Sequence, residues 1–319
     1  MTPLDEVDRL IPELDSLKRG EEAAARLVEY GPIAIEPLRR FLLEGKPSNI
    51  FQPRMWAVKA LASLGAKDVL LEYLFQTREI PDPVDRFGEE AVASTAAQSL
   101  AAWPSAEMYH ALLELAQRRL LPGLIEALAE YQRPETIPYF ERALEDDFYR
   151  PAAEEAFQKL GKTACSALAL SAVTPRPNLL TETPSSLLRR RSALGLLSLI
   201  GICAEHWQIL RVLIHDPDAH LVAGVAKLGI GLASNEERII IAKRLLGLLA
   251  SAPWYLQEDI EDSLVALQDE SATDIETEIA WRMEQPDTVR ATDERLWALL
   301  KLKRRVDGPC RSRHPPCCD

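Results

Sequence analysis

The side chains able to do chemistry gather at a few points along this 319-residue chain. Cys310, His314, Cys317 and Cys318 are ligands of the zinc type. Zinc sites take their ligand pairs from two arms separated by a folded loop, whereas here adjacent cysteines and two prolines fall within nine residues. That spacing reads as a tail with exposed thiols and no metal. The stretch from His215 to His220 holds two imidazoles and two carboxylates, Asp216 and Asp218. A turn between helices explains the same residues, with one Asp capping the second helix. Arg189, Arg190 and Arg191 could form an anion site beside a helix N-terminus. Three consecutive helical positions point in different directions, so Arg190 is read as structural and its two neighbours as solvated. Six tryptophans could line a groove that stacks bases or a tetrapyrrole. Trp103 fits a core position, while Trp56 and the Trp254-Tyr255 pair are the surface candidates. No Gly-rich phosphate loop, nucleophile elbow or HExxH occurs in the sequence, so nothing points to catalysis.

A repeat carries these residues. RMWAVKALASLG, Arg54 to Gly65, returns as RPAAEEAFQKLG, Arg150 to Gly161, with Arg, two Ala, a large apolar residue, Leu and Gly at the same spacing. Such a pattern places the apolar residues on one helical face and ends the helix at a left-handed Gly. Looser copies predict helix ends near 30, 103, 131, 200, 230 and 267 as well as 64 and 160. A second amphipathic stretch precedes each copy, for example IAIEPLRRFLLEG after Gly31 and ICAEHWQILRVLIHD after Gly201. Two amphipathic helices cannot bury both faces alone, so about nine pairs are expected to stack into one continuous core. Pro-rich connections at 45–53, 78–88 and 174–186 are expected to join the first helix of a pair to the second.

LEDDFYRPAAEEAFQKLG, Leu144 to Gly161, and IHDPDAHLVAGVAKLG, Ile214 to Gly229, resemble HEAT-like repeats. The resemblance implies an all-α, right-handed superhelical solenoid over residues 1–306, with 307–319 as a disordered tail. It also implies a ladder between repeats in which Asp146 or Asp147 meets Arg150. Arg54 and Arg190 occupy the same position as Arg150 but lack an upstream Asp, which leaves their ladder contacts open. Among enzymes of similar architecture, iron-binding hydroxylases use His-Glu pairs that this sequence lacks, whereas phycobilin lyases and isomerases have no local motif to test.

Composition narrows the partner. Forty-nine Leu and 41 Ala against 6% aromatics favour helices over strands. The most apolar stretch, Ala193 to Ala204, is 12 residues long, short of the ~20 that span a bilayer. The acidic N-terminus lacks the pattern of a secretory signal, so a cytoplasmic protein without a membrane partner is expected. The net charge of -12 repels nucleic acid. These readings converge on a non-catalytic scaffold, without metal or cofactor, that binds a polypeptide along a concave face formed by the second helix of each pair. A phycobilin lyase-like protein is the alternative. Lys59, Glu89, Glu90, Glu154, Glu155, Lys227, Glu258 and Glu261 are expected to be exposed on that face. Glu154, Glu155, Glu258 and Glu261, with Trp56 and Trp254, are the candidate contacts for a basic segment. Arg54, Asp146, Arg150 and Arg190 are the ladder candidates.

Overall fold

The computed structural model describes residues 2–178 and 181–307. It is all-α apart from one short hairpin, and it divides into two compact units, Met1–Ala164 and Cys165–Asp319. The first unit contains α1 (Pro3–Leu10), α2 (Gly20–Glu29), α3 (Ile35–Glu44), α4 (Gln52–Ser63), α5 (Lys67–Phe75), α6 (Pro83–Ser99), α7 (Ala106–Arg118), α8 (Pro122–Ala129), α9 (Ile137–Ala143) and α10 (Arg150–Leu160). Helices pack in sequential pairs, and the second members form a layer in which α2 meets α4, α4 meets α6, α6 meets α8 and α8 meets α10. The repeat's alanines, Ala57, Ala60, Ala153 and Ala156, are buried in this layer, together with the large residues Leu61 and Phe157. Small side chains let the backbones approach, and each large one fills the space left beside them.

The second unit contains α11 (Cys165–Val173), β1 (Pro177–Asn178), β2 (Thr181–Glu182), α12 (Pro184–Ile200), α13 (Ala204–Leu210), α14 (Ala219–Gly229), α15 (Asn235–Leu248), α16 (Trp254–Ala266), α17 (Gln268–Met283), α18 (Asp287–Arg290) and α19 (Glu294–Asp307). The hairpin pairs β1 and β2 antiparallel, Asn178 opposite Thr181. Here the second members again follow one another, α12 on α14 and α14 on α16. Among the described residues no helix is long and apolar enough to cross a membrane. The Cys310, His314, Cys317 and Cys318 group lies outside the described residues, and Asp307, read from sequence as the first tail residue, closes α19.

Most helix ends fall within about a residue of the repeat's expectation, because Gly65, Gly161 and Gly201 take the positive φ that stops a helix. Several boundaries differ, among them the end of α6, at Ser99 and not near 103, and the start of α12, at Pro184 inside the expected 174–186 connection. The expected loop through Gly88 ends earlier, since Asp82 accepts from Val84 N at 2.7 Å and Pro83 occupies the first helical turn, so Arg86 and Phe87 are helical. The helix end expected near 230 falls at Gly229, and Gly231 just beyond it lacks a positive φ.

Carboxylates at the end of the second unit are held by arginines. Glu278 accepts from Arg295 at 2.8 Å and Arg282 at 2.9 Å, and Arg282 also donates to Asp293 at 2.6 Å. Arg295 and then Arg282 hold the Glu278 carboxyl below its ordinary value against burial, and the Leu296 N–H does the same for Asp293, aided by Arg282. Depressed carboxylates stabilise the fold fully above about pH 5, and that stability is lost progressively as the pH falls through their ordinary and then their lowered values. An acid titration followed by circular dichroism is expected to show a loss of stability below about pH 5 that is shallower in Glu278→Gln. Superimposable profiles would refute the assignment.

Candidate functional site

A concave feature of the first unit forms where α5 ends, α6 begins and the α7–α8 connection returns. Asp82 starts α6 early, and its first turns then distribute four side chains. Glu89 points inward and is buried, Arg86 and Phe87 are exposed, and Glu90 is half-buried. The floor is a buried ion pair between Arg54 of α4 and Glu89, whose side chains are 6% and 8% exposed. Tyr73 Oη donates to Glu89 Oε1 at 2.8 Å, and Arg54 Nη2 donates to the Leu42 carbonyl at 2.8 Å. Burial, reinforced by the Glu89 charge, pushes the Tyr73 phenol well above its ordinary value.

Above this floor lies a cavity of about 300 Å³ lined by Tyr73, Phe75, Arg78, Arg86, Arg118 and Arg119 among others. Arg78 donates to the carbonyls of Gly45, at 3.0 Å, and Leu43, tying the α5–α6 connection to the end of α3. Burial and the neighbouring Arg54 charge pull its guanidinium below the ordinary value. Arg118 pairs with Glu114 at 2.5 Å and lies 5.5 Å from the Phe75 ring centroid. Arg86 and Arg119 make no side-chain hydrogen bond or ion pair among the described residues.

A second pocket, about 230 Å³, shares Glu90 with the first and is otherwise mainly apolar, with Met55, Phe87, Leu121, Phe148 and Tyr149 in its walls. Phe87 and Phe148 are 56% and 57% exposed. Their rings meet edge to face at 6.0 Å, and Phe148 stands 5.1 Å from Tyr149. Sequence reading passed over these residues, although an aromatic beside charged residues at the start of α6 (RFGEE) and just before α10 (DFYR) was a usable signal.

The expected contact residues fall in both units. Glu154 is half-buried and Glu155 exposed on α10, in the first unit, whereas Glu258 and Glu261 stand on α16 in the second. Glu258 is exposed as expected, but Glu261 is only 3% exposed and accepts from Lys301 and Arg305, each at 2.8 Å. Its carboxylate is a structural counter-ion, and Glu89 departs from expectation in the same way. Trp56 is half-buried, and its ring lies so close to Gly20 that a Cβ there would come within 2.2 Å of it. It is a packing residue for α2. Trp254 is 82% exposed and stands edge to face with Tyr255 at 5.7 Å.

The ladder arginines share a role beyond the expected one, while Arg150 does make the expected contact with Asp147. Arg54 donates to Leu42 O, Arg150 to Leu144 O at 3.1 Å and Arg190 to Ala172 O at 2.8 Å, each at the C-terminal end of the preceding first helix. A cation there satisfies carbonyls left without intrahelical partners. Arg54 and Arg190 do form ion pairs, with carboxylates further along the chain, Glu89 for one and Asp216 for the other, and Arg190 pairs as well with Glu182 of the preceding β2. Arg150 pairs with Asp147 at 2.6 Å, and Asp146 accepts from Phe148 N at 2.8 Å. Arg189, expected to be solvated, is buried and donates to Ser171 Oγ at 2.7 Å, and Arg191 pairs with Asp218. Asp218 also caps α14 through Leu221 N at 3.2 Å. Among the described residues no group of three or more His, Cys, Asp or Glu is placed to hold a metal ion. No family model matches this chain, and no curated protein matches it.

Proposed function

We propose that the chain is a HEAT-like interaction module that holds a polypeptide partner along the face formed by the second helices of the first unit. The observation that carries this reading is the exposed Phe87–Phe148 pair over the apolar pocket between α4, α6 and α8. A soluble surface seldom keeps two touching, half-exposed aromatic rings beside a preformed pocket without a partner to cover them. Interfaces concentrate their energy in such aromatic anchors, ringed by polar groups. Glu155, exposed on α10 of the same unit, is the residue a basic stretch of the partner would meet.

Phe87→Ser and Phe148→Ser test the reading. Because both rings are more than half exposed, each change is expected to alter stability by no more than about 1 kcal/mol. Loss of an interface anchor costs about 2 kcal/mol or more, roughly thirtyfold in affinity. Peptides selected by display on the wild-type chain are therefore expected to lose binding to both variants, whereas equal retention would refute this face as the interface. A visible absorption band that stays with the purified chain would favour the tetrapyrrole reading instead.

A further inference from the structure

We propose that the arginine-lined cavity beside the aromatic pocket binds a carboxylate, so that this face selects segments in which an apolar anchor lies next to an Asp or Glu. The inference rests on the interaction reading above and adds an acidic residue beside the partner's apolar anchor, separate from the basic stretch that faces Glu155.

The charge at this spot runs against that of the whole chain, whose net charge is -12. Arg78, Arg86, Arg118 and Arg119 line the cavity with Glu89 and Glu90. Glu89 is matched by Arg54 beneath it, and Arg118 by Glu114 at its side. Arg78 is occupied with backbone carbonyls, which bring no charge to cancel its own. What is left is Arg78, Arg86 and Arg119 against Glu90, a local excess of two positive charges.

Two of these cations are also free to act. Arg86 and Arg119 have donors unused by the described protein residues, and Arg119 is half-buried, so it has already given up part of its hydration. The planar fork of a guanidinium fits a carboxylate through two parallel hydrogen bonds, and a partly desolvated site strengthens them. The neutralised floor matters here. With Glu89 bonded to both Arg54 and Tyr73, its carboxylate does not compete for the cavity's arginines.

Position links this cavity to the anchor. Arg86 and Phe87 are neighbours on α6, one lining each pocket, and Glu90, one turn on, lies in the wall they share. A segment whose apolar side chain enters beside Phe87 and Phe148 thus brings its adjacent side chains toward Arg86. Glu90 stays close to both pockets, and its charge disfavours a doubly charged phosphate more than a singly charged carboxylate.

The test is an array of capped peptides combining Phe, Leu or Trp with Asp, Glu, Asn, Gln, Lys or phosphoserine at one to four residues' separation, probed with the full chain. Peptides with an anchor and an Asp or Glu are expected to bind at least tenfold more tightly than their Asn or Gln counterparts, with a difference that shrinks as salt is raised. An Arg86→Glu, Arg119→Glu variant, checked for unchanged helicity, is expected to keep its need for the anchor and to prefer Lys. Anchor-dependent binding that ignores the acidic residue, favours Lys in the wild type or favours phosphoserine over Asp and Glu would overturn this inference while leaving the interaction reading intact. Absence of any anchor-dependent binding would overturn the interaction reading itself.

Discussion

Glu89→Ala is expected to destabilise the first unit by about 3–5 kcal/mol, the usual consequence of leaving one member of a buried ion pair behind. The Arg54 guanidinium would keep its charge among buried groups with the Leu42 carbonyl as a partner but without a carboxylate. Tyr73 would also lose the acceptor of its hydroxyl, an added penalty for a buried donor. A loss of that size corresponds to a fall in thermal midpoint on the order of 10 °C for a unit of this length. The cost comes from the orphaned charge and not from any large net worth of the pair. Combining Arg54→Met and Glu89→Leu with Tyr73→Phe is therefore expected to recover most of the stability. Urea unfolding of the single and combined variants checks both statements. A Glu89→Ala protein within 1 kcal/mol of wild type would show that the pair is hydrated and the site's floor is not rigid.

Trp207 and Gly229 should show strong coupling. Trp207 is fully buried, its Nε1 donates to Glu237 at 3.2 Å, and its six-membered ring lies where a Cβ on Gly229 would come within 2.2 Å. Trp207→Ala is expected to cost about 3–5 kcal/mol through the cavity it leaves. Gly229→Ala alone is expected to cost about 1–3 kcal/mol, because the ring has nowhere to move in a packed interior. In the Trp207→Ala background the same Gly229→Ala change should cost nothing or stabilise slightly, since the methyl group enters vacated space in a helix that disfavours Gly. A double-mutant cycle by denaturant unfolding measures this, with a coupling of about 1–3 kcal/mol expected. Additive effects would mean that Gly229 is required for its backbone and not for the ring above it.

The two glycine–tryptophan contacts show how far the sequence could be read. Gly65, Gly161 and Gly201 are legible as helix stops because a local signal, the end of an apolar period, coincides with the residue that tolerates positive φ. Gly229 and Gly20 have no such signal. Each is small because a tryptophan from another element lies against it, and nothing in the local sequence records that approach.

Charge follows the same division. An Arg in the first turns of α4 and α10 is plain in the repeat, and its bond to a preceding carbonyl follows from the helix-turn-helix geometry. Its counter-ion is not plain, because Glu89 lies 35 residues beyond Arg54 and enters only when α6 packs on α4. Periodicity placed Glu89 and Glu261 between apolar positions, yet both are buried by cations from other helices. The converse error hid the candidate site. Phe87 falls in an expected loop, and only the capped start of α6 and the arrival of Phe148 from two repeats further on make a pocket there.

By itself the sequence determined the helical class, the pairing of helices and most of the helix ends. Each depends on interactions within a few residues, where apolar period, capping residue and glycine act together. Only the tertiary structure decided which charged side chains are free, which aromatics are exposed and where a cavity opens. Those properties depend on what a neighbouring repeat brings within a few ångströms, and a degenerate repeat leaves that open at every position it does not constrain.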